Sequence, residues 1–278
     1  MGSDGRGVSR RRRRHGRAGS VIVSVSPRFS QPRQPALLTT DIDVTVPGSL
    51  PIRDEQTLRE RLEAGDFIIV PRRTVSRNAP SKHYFQHRRR EGSGLAAIHG
   101  EFLTPLKGPA TDRDGNPKSP RKVQKGLSAE ALRYMDLLLW EPISLDLSNI
   151  YPTTAPAGLE IRLPNVGTFV VQNALCSQKR DRLEKRDKDL AYIYDVATLT
   201  HLRWDEIREH IEELRVEGPC QESWWNEAAD ILEKAFITDT PFGPEAVAAV
   251  YENEQSVLAS TVRHVVRRFL EGVGLSDR

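Results

Sequence analysis

The spacing of the apolar residues changes along this chain, and that change constrains the fold most strongly. From Asp41 to Val46, polar residues alternate with β-branched apolar residues, which predicts a β-strand with one buried face. Beyond Ser128, apolar residues recur every three or four positions, which predicts amphipathic helices. We therefore expect an α+β protein in which a mixed β-sheet core is followed by a helical C-terminal half.

The pattern also predicts the order of the elements. In the first half we expect a helix over 54–62, closed by Gly65, and a surface loop over 108–126. The strands of this half are expected over 41–46, 67–70, 84–86 and 95–103. In the second half Pro164 marks the first turn of a helix. The other predicted elements are short strands at 143–150 and 159–163 and helices over 129–140, 186–200, 204–215, 221–237 and 244–271.

The first 36 residues differ in composition from the rest of the chain. Residues 1–35 contain nine arginines and one acid, a net charge of +8, so the whole-chain charge of +3 leaves −5 for the remainder. Such a segment buries too little apolar surface to fold alone, and we predict a basic, disordered arm over 1–36. Within it, only 21–25 has the character of a strand. Its functional interpretation is an arm for nucleic-acid phosphates, as in a DNA-binding regulator; the alternative is an extension without function.

We divide the remaining chain into an α/β core over 37–150 and a helical domain over 151–278. A run of about eighteen apolar residues is absent from the sequence, so no membrane-spanning helix is expected. The two cysteines, Cys176 and Cys220, are too few for a disulfide framework. We therefore expect a protein of the cytoplasm.

Asp41 and Asp43 are the first candidate functional residues. Because alternate residues of a strand share one face, their carboxylates would project side by side. Paired carboxylates suit Mg²⁺, which also binds substrate phosphates. A third acid on a neighbouring strand would complete a site for displacement at phosphorus, with Glu101 as first candidate and Asp146 as second. An Asp-x-Asp pair is also common on exposed strands without any function.

Four segments, in their order along the chain, carry a family resemblance. They are Thr39-Thr40-Asp41-Ile42-Asp43-Val44 and the segments 99–106, 163–172 and 185–195. Together they resemble the minimal nucleotidyltransferases of the DNA polymerase β superfamily, and within these the abortive-infection (AbiE-type, type IV) toxins and their mycobacterial toxin relatives. The resemblance covers residues 37–215.

The resemblance implies an Mg²⁺-dependent enzyme that transfers a nucleotide from a nucleoside triphosphate (NTP) onto an acceptor. In the toxin relatives the acceptor is typically the 3′ end of tRNA; a protein hydroxyl is the other possibility, and a cognate antitoxin is a further implied partner. By resemblance, Asp41 and Asp43 hold the metal, and Glu101 is either the third ligand or the base that activates the acceptor. The other implied site residues are Lys179 and Asp195 for catalysis and Gly19, Ser20, Thr40, Lys179, Lys188 and Asp189 for nucleotide binding.

Two features depart from the family pattern. The family normally places Gly-Ser or Gly-Gly shortly before the Asp-x-Asp, where backbone N–H groups bind phosphates. Here the upstream pair is Gly19-Ser20, separated from Asp41 by a segment with three prolines. This spacing favours an alternative function, a catalytically impaired module that binds RNA or a protein partner.

The second departure is on a helix. Where family helices often read Gln-Lys, this chain has Gln172-Asn173, so Lys179 would have to supply the positive charge.

A second basic cluster lies inside the core region. Residues 71–90 hold seven basic residues and no acid, and their pattern predicts a hairpin. The charges either solvate an exposed hairpin or form a positive surface that attracts a triphosphate or an RNA end.

Overall fold

The computed structural model of the protein describes residues 22–24, 41–52, 55–72, 82–87, 99–115, 118–150, 157–219, 221–251 and 257–276. Its strands are β1 (Ile22–Ser24), β2 (Asp41–Thr45), β3 (Phe67–Arg72), β4 (Lys82–His87), β5 (His99–Pro105), β6 (Arg121–Gln124), β7 (Leu127–Leu132), β8 (Ile143–Asp146) and β9 (Glu160–Leu163). Its helices are α1 (Leu58–Ala64), α2 (Met135–Leu138), α3 (Leu147–Ile150), α4 (Val166–Ser177), α5 (Leu183–Leu199), α6 (Trp204–Glu217), α7 (Glu222–Leu232), α8 (Gly243–Tyr251) and α9 (Ala259–Gly272). The predicted α+β class is confirmed.

The main sheet is mixed, with β5 at its centre. One edge of β5 pairs in parallel with β2, and the other edge pairs first with β4, antiparallel, and then with β7, parallel. β3 pairs with β4 in the predicted antiparallel hairpin, and β6 pairs with β7. β1 pairs antiparallel with the outer edge of β2, so the strand expected at 21–25 forms and belongs to the sheet. The rest of the expected arm lies outside the described residues.

One face of this sheet is apolar and is covered by α1. Val44, Phe85 and Phe102 are buried there, and Leu58 and Leu62 of α1 pack against the same cluster. The helix begins with a capping box, in which the Thr57 hydroxyl accepts from the backbone N–H of Glu60 and the Glu60 carboxylate accepts from the backbone N–H of Thr57. The polar residues of the same strands must therefore lie on the opposite face.

The helical half packs around α5. Leu190 and Ile193 on α5 are fully buried, in one apolar core with residues from α4, α6, α7, α8 and α9. α7 continues into a π-helical turn, Glu233–Ile237, so that the helix predicted over 221–237 forms almost in full. The short strands β8 and β9 form a separate two-stranded sheet, which lies between the two halves in chain order. The strand predicted over 159–163 is confirmed, whereas the one predicted over 143–150 is wrong in its second half, because 147–150 form α3, whose Ser148 donates hydrogen bonds to the Asp146 carboxylate. In the described part of the chain, no helix has the length and apolar character needed to cross a bilayer.

A small apolar cluster joins the sheet to the helices. Leu103 of β5 packs with Met135 and Leu138 of α2, and Phe169 and Cys176 of α4 pack against them. Because Leu103 is two residues beyond Glu101 on the same strand, the last turn of α4 lies near the part of the sheet that carries the candidate carboxylates.

The helix predicted over 129–140 is wrong for most of its length. Residues 127–132 form β7, and the helix there is only the short α2. Ala, Glu and Leu favour helix locally, but Leu127, Ala129 and Ala131 alternate along β7 and are buried. Pairing with both β5 and β6 outweighs the local preference. The loop predicted over 108–126 is wrong at its end for the same reason, because 121–124 form β6.

Three helix boundaries also differ from the prediction. α1 begins at Leu58 rather than at 54, because Thr57 supplies the cap. Pro164 lies one residue before the N-cap Asn165 of α4 instead of in the first turn. The helix predicted over 244–271 is two helices, α8 and α9, and both contact α5. A straight helix of that length would extend about 40 Å and could not fold back on α5 in this way.

Candidate functional site

The polar face of the sheet carries the candidate carboxylates. In the parallel pairing of β2 with β5, Asp41 lies opposite His99 and Asp43 lies opposite Glu101. Directly opposed residues on neighbouring strands project to the same side of the sheet. The structure therefore brings Asp43 and Glu101 together, as predicted for the paired acid and a third acid on an adjacent strand. Asp43 is exposed and Glu101 is half-buried.

The second candidate for the third acid lies elsewhere. Asp146 is on β8, in the separate two-stranded sheet, where its carboxylate accepts hydrogen bonds from the backbone N–H and hydroxyl of Ser148 at 2.9 and 2.6 Å. The register of the main sheet therefore favours Glu101 over Asp146 as the third acid of the site.

An arginine from the helical half is coupled electrostatically to the Asp43 carboxylate. Arg180 lies in the connection between α4 and α5, and its guanidinium donates to both carboxylate oxygens of Asp189 on α5, at 2.7 and 3.0 Å. The Asp189 side chain is 6% exposed and that of Arg180 is 34% exposed. A bidentate pair of this kind fixes the plane of the guanidinium while leaving its remaining N–H groups available for an anion.

The Asp43 carboxylate and this arginine influence each other electrostatically. The hydrogen bonds to Asp189 raise the pKa of Arg180, and the carboxylate of Asp43 adds to that rise. Burial raises the pKa of Asp189, and the guanidinium of Arg180 opposes that rise. The site therefore combines acids from the sheet with a permanently charged cation from the helices.

A tyrosine and a lysine on α5 extend the cationic side of the site. The Lys188 ammonium lies 5.7 Å from the centre of the Tyr192 ring, one helical turn away. Burial raises the pKa of Tyr192, Lys188 opposes the rise, and the carboxylate of Asp43 adds to it. The predicted nucleotide-binding residues Lys188 and Asp189 thus contact Tyr192 and Arg180, the two side chains whose pKa values the Asp43 carboxylate raises.

Two other predicted site residues have different partners. The ammonium of Lys179 forms an exposed ion pair with Glu227 on α7, at 2.9 Å. The Asp195 carboxylate accepts a hydrogen bond from the Tyr251 hydroxyl of α8, inside the helical half. Their roles in catalysis stay predictions. Gly19, Ser20 and Thr40 lie outside the described residues.

The residues that sequence reasoning missed are Arg180 and Tyr192. Arg180 follows Lys179 directly, and the sequence alone offered no reason to prefer it, because its partner Asp189 is nine residues away across a turn. Tyr192 had a detectable signal, since it lies four residues after Lys188 and so on the same face of the helix.

The donor chemistry of the carboxylates suits a metal ion. Carboxylate oxygens on adjacent strands are the donors that Mg²⁺ uses together with substrate phosphates, so Asp43 fits as a ligand, and Glu101 fits either as a second ligand or as the base. Among the side chains that the structure describes, which do not include that of Asp41, no three His, Cys, Asp or Glu groups are clustered closely enough to hold a metal ion. Three-fold ligation by Asp41, Asp43 and Glu101 stays a prediction.

We expect Arg180→Met to lower the free energy of unfolding by about 2 kcal/mol. Removing one partner of a buried ion pair typically costs about 3–5 kcal/mol, and the partial exposure of the guanidinium reduces that cost. Thermal unfolding of Arg180→Met, Asp189→Leu and the double variant measures it. The double variant should regain most of the loss, and additive losses would show that the pair does not stabilise the fold as a unit.

The thiol of Cys176 should be nearly unreactive in the folded protein. Burial raises its pKa to about 12, and the Gln172 amide donates to its sulfur at 3.0 Å. Because the thiolate is the nucleophile, we expect alkylation by iodoacetamide at pH 8 to be at least about 100-fold slower than for a free cysteine. Intact mass of a Cys220→Ser variant, which retains Cys176 alone, measures this rate with and without denaturant. Equal rates in the two conditions would contradict the prediction.

Opposed carboxylates on parallel strands, one of them coupled to an arginine of the helical half, define a site suited to phosphate esters and anhydrides. The family model described as Nucleotidyltransferase matches residues 29–215, which is more than half of the chain. The chain therefore belongs to this nucleotidyltransferase family. No curated protein matches the sequence.

Proposed function

We propose that the protein is an Mg²⁺-dependent nucleotidyltransferase of the cytoplasm that transfers a nucleotide from an NTP onto the 3′ end of tRNA. We further propose that it acts as the toxin of an AbiE-type toxin–antitoxin or abortive-infection system. Membership in the nucleotidyltransferase family supports the transfer and the NTP substrate. The observation on which the site rests is that Asp43 lies opposite Glu101 on parallel strands and is coupled electrostatically to Arg180. The tRNA acceptor, the antitoxin and the toxin role rest on the resemblance of segments 39–44, 99–106, 163–172 and 185–195.

Each side chain has a role in this proposal. Arg180 and Lys188 bind the triphosphate oxygens and neutralise charge on the leaving pyrophosphate, and Asp189 holds Arg180 in position. Glu101 accepts the proton of the acceptor hydroxyl, whose oxygen bonds to the α-phosphorus as the bond to pyrophosphate breaks. Mg²⁺ held by Asp41 and Asp43 would supply charge neutralisation at the reacting phosphate. In this scheme catalysis is mostly positioning and electrostatics.

The experiment that tests the acceptor uses the purified full chain with each α-labelled NTP, Mg²⁺ and one of three acceptors. These are total tRNA, tRNA whose 3′ terminus has been oxidised with periodate, and a soluble protein extract. We expect label on intact tRNA with one preferred NTP and none on the oxidised form. Label on protein, or on tRNA regardless of its 3′ terminus, would contradict the acceptor assignment.

A second candidate function is favoured by one observation on the sheet. β1, which pairs with β2, lies in sequence between Gly19-Ser20 and Asp41, so a strand intervenes where the family expects the phosphate-binding pair close by. A catalytically impaired module that binds RNA or a protein partner would fit this arrangement. A gel shift with tRNA by a wild-type protein that transfers no label from any NTP would favour this candidate over the enzyme.

A further inference from the structure

We propose that Tyr84 is the acceptor-binding residue of the site, and that its ring stacks on the terminal base of a single-stranded nucleic-acid acceptor. The inference rests on the proposed function, in which a nucleotide is transferred at the carboxylates of β2 and β5. It goes beyond that function because it assigns the side from which the acceptor enters and the group that recognises it.

The register of the sheet places Tyr84 in one row with the carboxylates. Asp43 on β2 lies opposite Glu101 on β5, and Glu101 lies opposite Tyr84 on β4. Glu101 is therefore between an acid and a tyrosine, all on one face of the sheet. The alternate residue Phe85 belongs to the other face, where its ring covers Gly100 in the apolar core. Tyr84 is half-buried on the polar face.

The position of the charged arginine decides the side from which an acceptor must come. Asp43, at the β2 end of the row, is the sheet carboxylate that is coupled electrostatically to Arg180, whose guanidinium is held by Asp189 of α5. Displacement at phosphorus is in line, with the attacking and leaving oxygens on opposite sides of the phosphorus. If the pyrophosphate leaves toward Arg180, the attacking hydroxyl approaches from the other end of the row, where Glu101 and Tyr84 lie.

The surroundings of Tyr84 suit a planar base better than a peptide. The next residue of the row is Val70 on β3, directly opposite Tyr84, and it is 41% exposed although it is aliphatic. The register thus places an aromatic ring next to an exposed aliphatic side chain, in the same row as the carboxylate. In the adjacent row, His99 lies opposite Gln86, so hydrogen-bonding groups for the edges of a base flank this pair of side chains. Stacking of one base on an aromatic side chain is worth roughly 5- to 150-fold in affinity.

The test measures binding without NTP, so that it does not depend on transfer. A single-stranded RNA oligonucleotide with a fluorophore at its 5′ end is titrated with the full chain, followed by anisotropy, for wild type, Tyr84→Leu, Tyr84→Phe and Tyr84→Trp. We expect Tyr84→Leu to raise Kd at least about 10-fold, while the Phe and Trp variants stay within about 3-fold of wild type. Leu202→Ala, at a position that is 86% exposed in front of α6, is the matched surface control and should leave Kd unchanged. Thermal unfolding confirms that each variant folds.

Each outcome decides the inference separately from the proposed function. An unchanged Kd in Tyr84→Leu, or an equal loss in Tyr84→Phe, would overturn the stacking role even if wild type transfers nucleotides. A Kd that depends on the ring, in a protein that transfers to no acceptor, would sustain the stacking role and overturn the proposed function. Transfer to protein hydroxyls with no oligonucleotide binding would overturn the inference and identify a protein acceptor. With an active enzyme, Tyr84→Leu should raise KM for the RNA and leave KM for the NTP unchanged.

Discussion

Replacing Asp43 by Asn should reduce nucleotide transfer about 1000-fold or more while leaving the fold intact. The substitution keeps the size of the side chain and removes the negative charge that lies opposite Glu101 and is coupled electrostatically to Arg180. Loss of one preorganised charged group in a catalytic site commonly costs 100- to 1000-fold in rate, and a carboxylate that also holds the metal should lie at the upper end of that range. Because Asp43 is exposed, its replacement leaves no unsatisfied buried group.

Single-turnover rates with saturating NTP measure this effect, and thermal unfolding measures the fold. Asp205→Asn, at an exposed acid of α6, is the matched control and should transfer at the wild-type rate. A rate within tenfold of wild type in Asp43→Asn would show that the paired acids of β2 are not the reactive centre.

Gly100→Ala should destabilise the protein by at least about 3 kcal/mol. A Cβ atom at Gly100 would lie 1.8 Å from Cζ of Phe85, far inside any possible contact. The Phe85 ring is buried and packs on Phe102 and Phe67, with ring centres 5.0 and 5.6 Å apart, so it has no free direction in which to move. Overpacking of a core typically costs about 1–3 kcal/mol, and a direct overlap with a ring exceeds that range.

Thermal and urea unfolding measure this destabilisation, which should lower Tm by roughly 6–12 °C. Gly65→Ala is the matched control, because a Cβ there meets only ordinary contacts, the nearest being the Arg61 carbonyl oxygen at 3.5 Å. The double variant Gly100→Ala with Phe85→Leu should be less destabilised than the sum of the two single variants. Additive losses would mean that the ring and the glycine are not packed against each other.

The sequence predicted the parts of the fold whose signal is local. The alternation at 41–46 and the apolar run at 67–70 gave β2 and β3, and the three- and four-residue spacing beyond 180 gave α5, α6 and α7. The prediction from sequence failed where pairing or packing with another element determines the local structure. β7 has a composition that favours helix, and only its two neighbouring strands make it a strand. The break between α8 and α9 likewise follows from packing on α5, which the continuous apolar spacing did not reveal.

The site residues likewise fall into those that local sequence patterns predict and those that depend on the position of another element. Asp41 and Asp43 could be selected because an acid repeated at two alternate positions of a strand is visible in the sequence. Glu101 could be selected as an acid on a later predicted strand, and the register places it opposite Asp43. Lys179 was selected as the cation, whereas the structure pairs it with Glu227 and brings the neighbouring Arg180 to Asp189 and Asp43. Two adjacent residues that follow the end of a helix project in different directions. Only the position of α5 decides which of the two lies toward the sheet.

The position of the label in the NTP tests the central claim most directly. Parallel reactions contain Mg²⁺, tRNA and the preferred NTP, labelled at either the α- or the γ-phosphate. If the paired carboxylates and Arg180 direct nucleotide transfer, the α-label appears on tRNA in a one-to-one ratio with released pyrophosphate, and the γ-label appears only in pyrophosphate. Transfer of the γ-label to the acceptor, or release of inorganic phosphate in place of pyrophosphate, would contradict nucleotidyl transfer at this site.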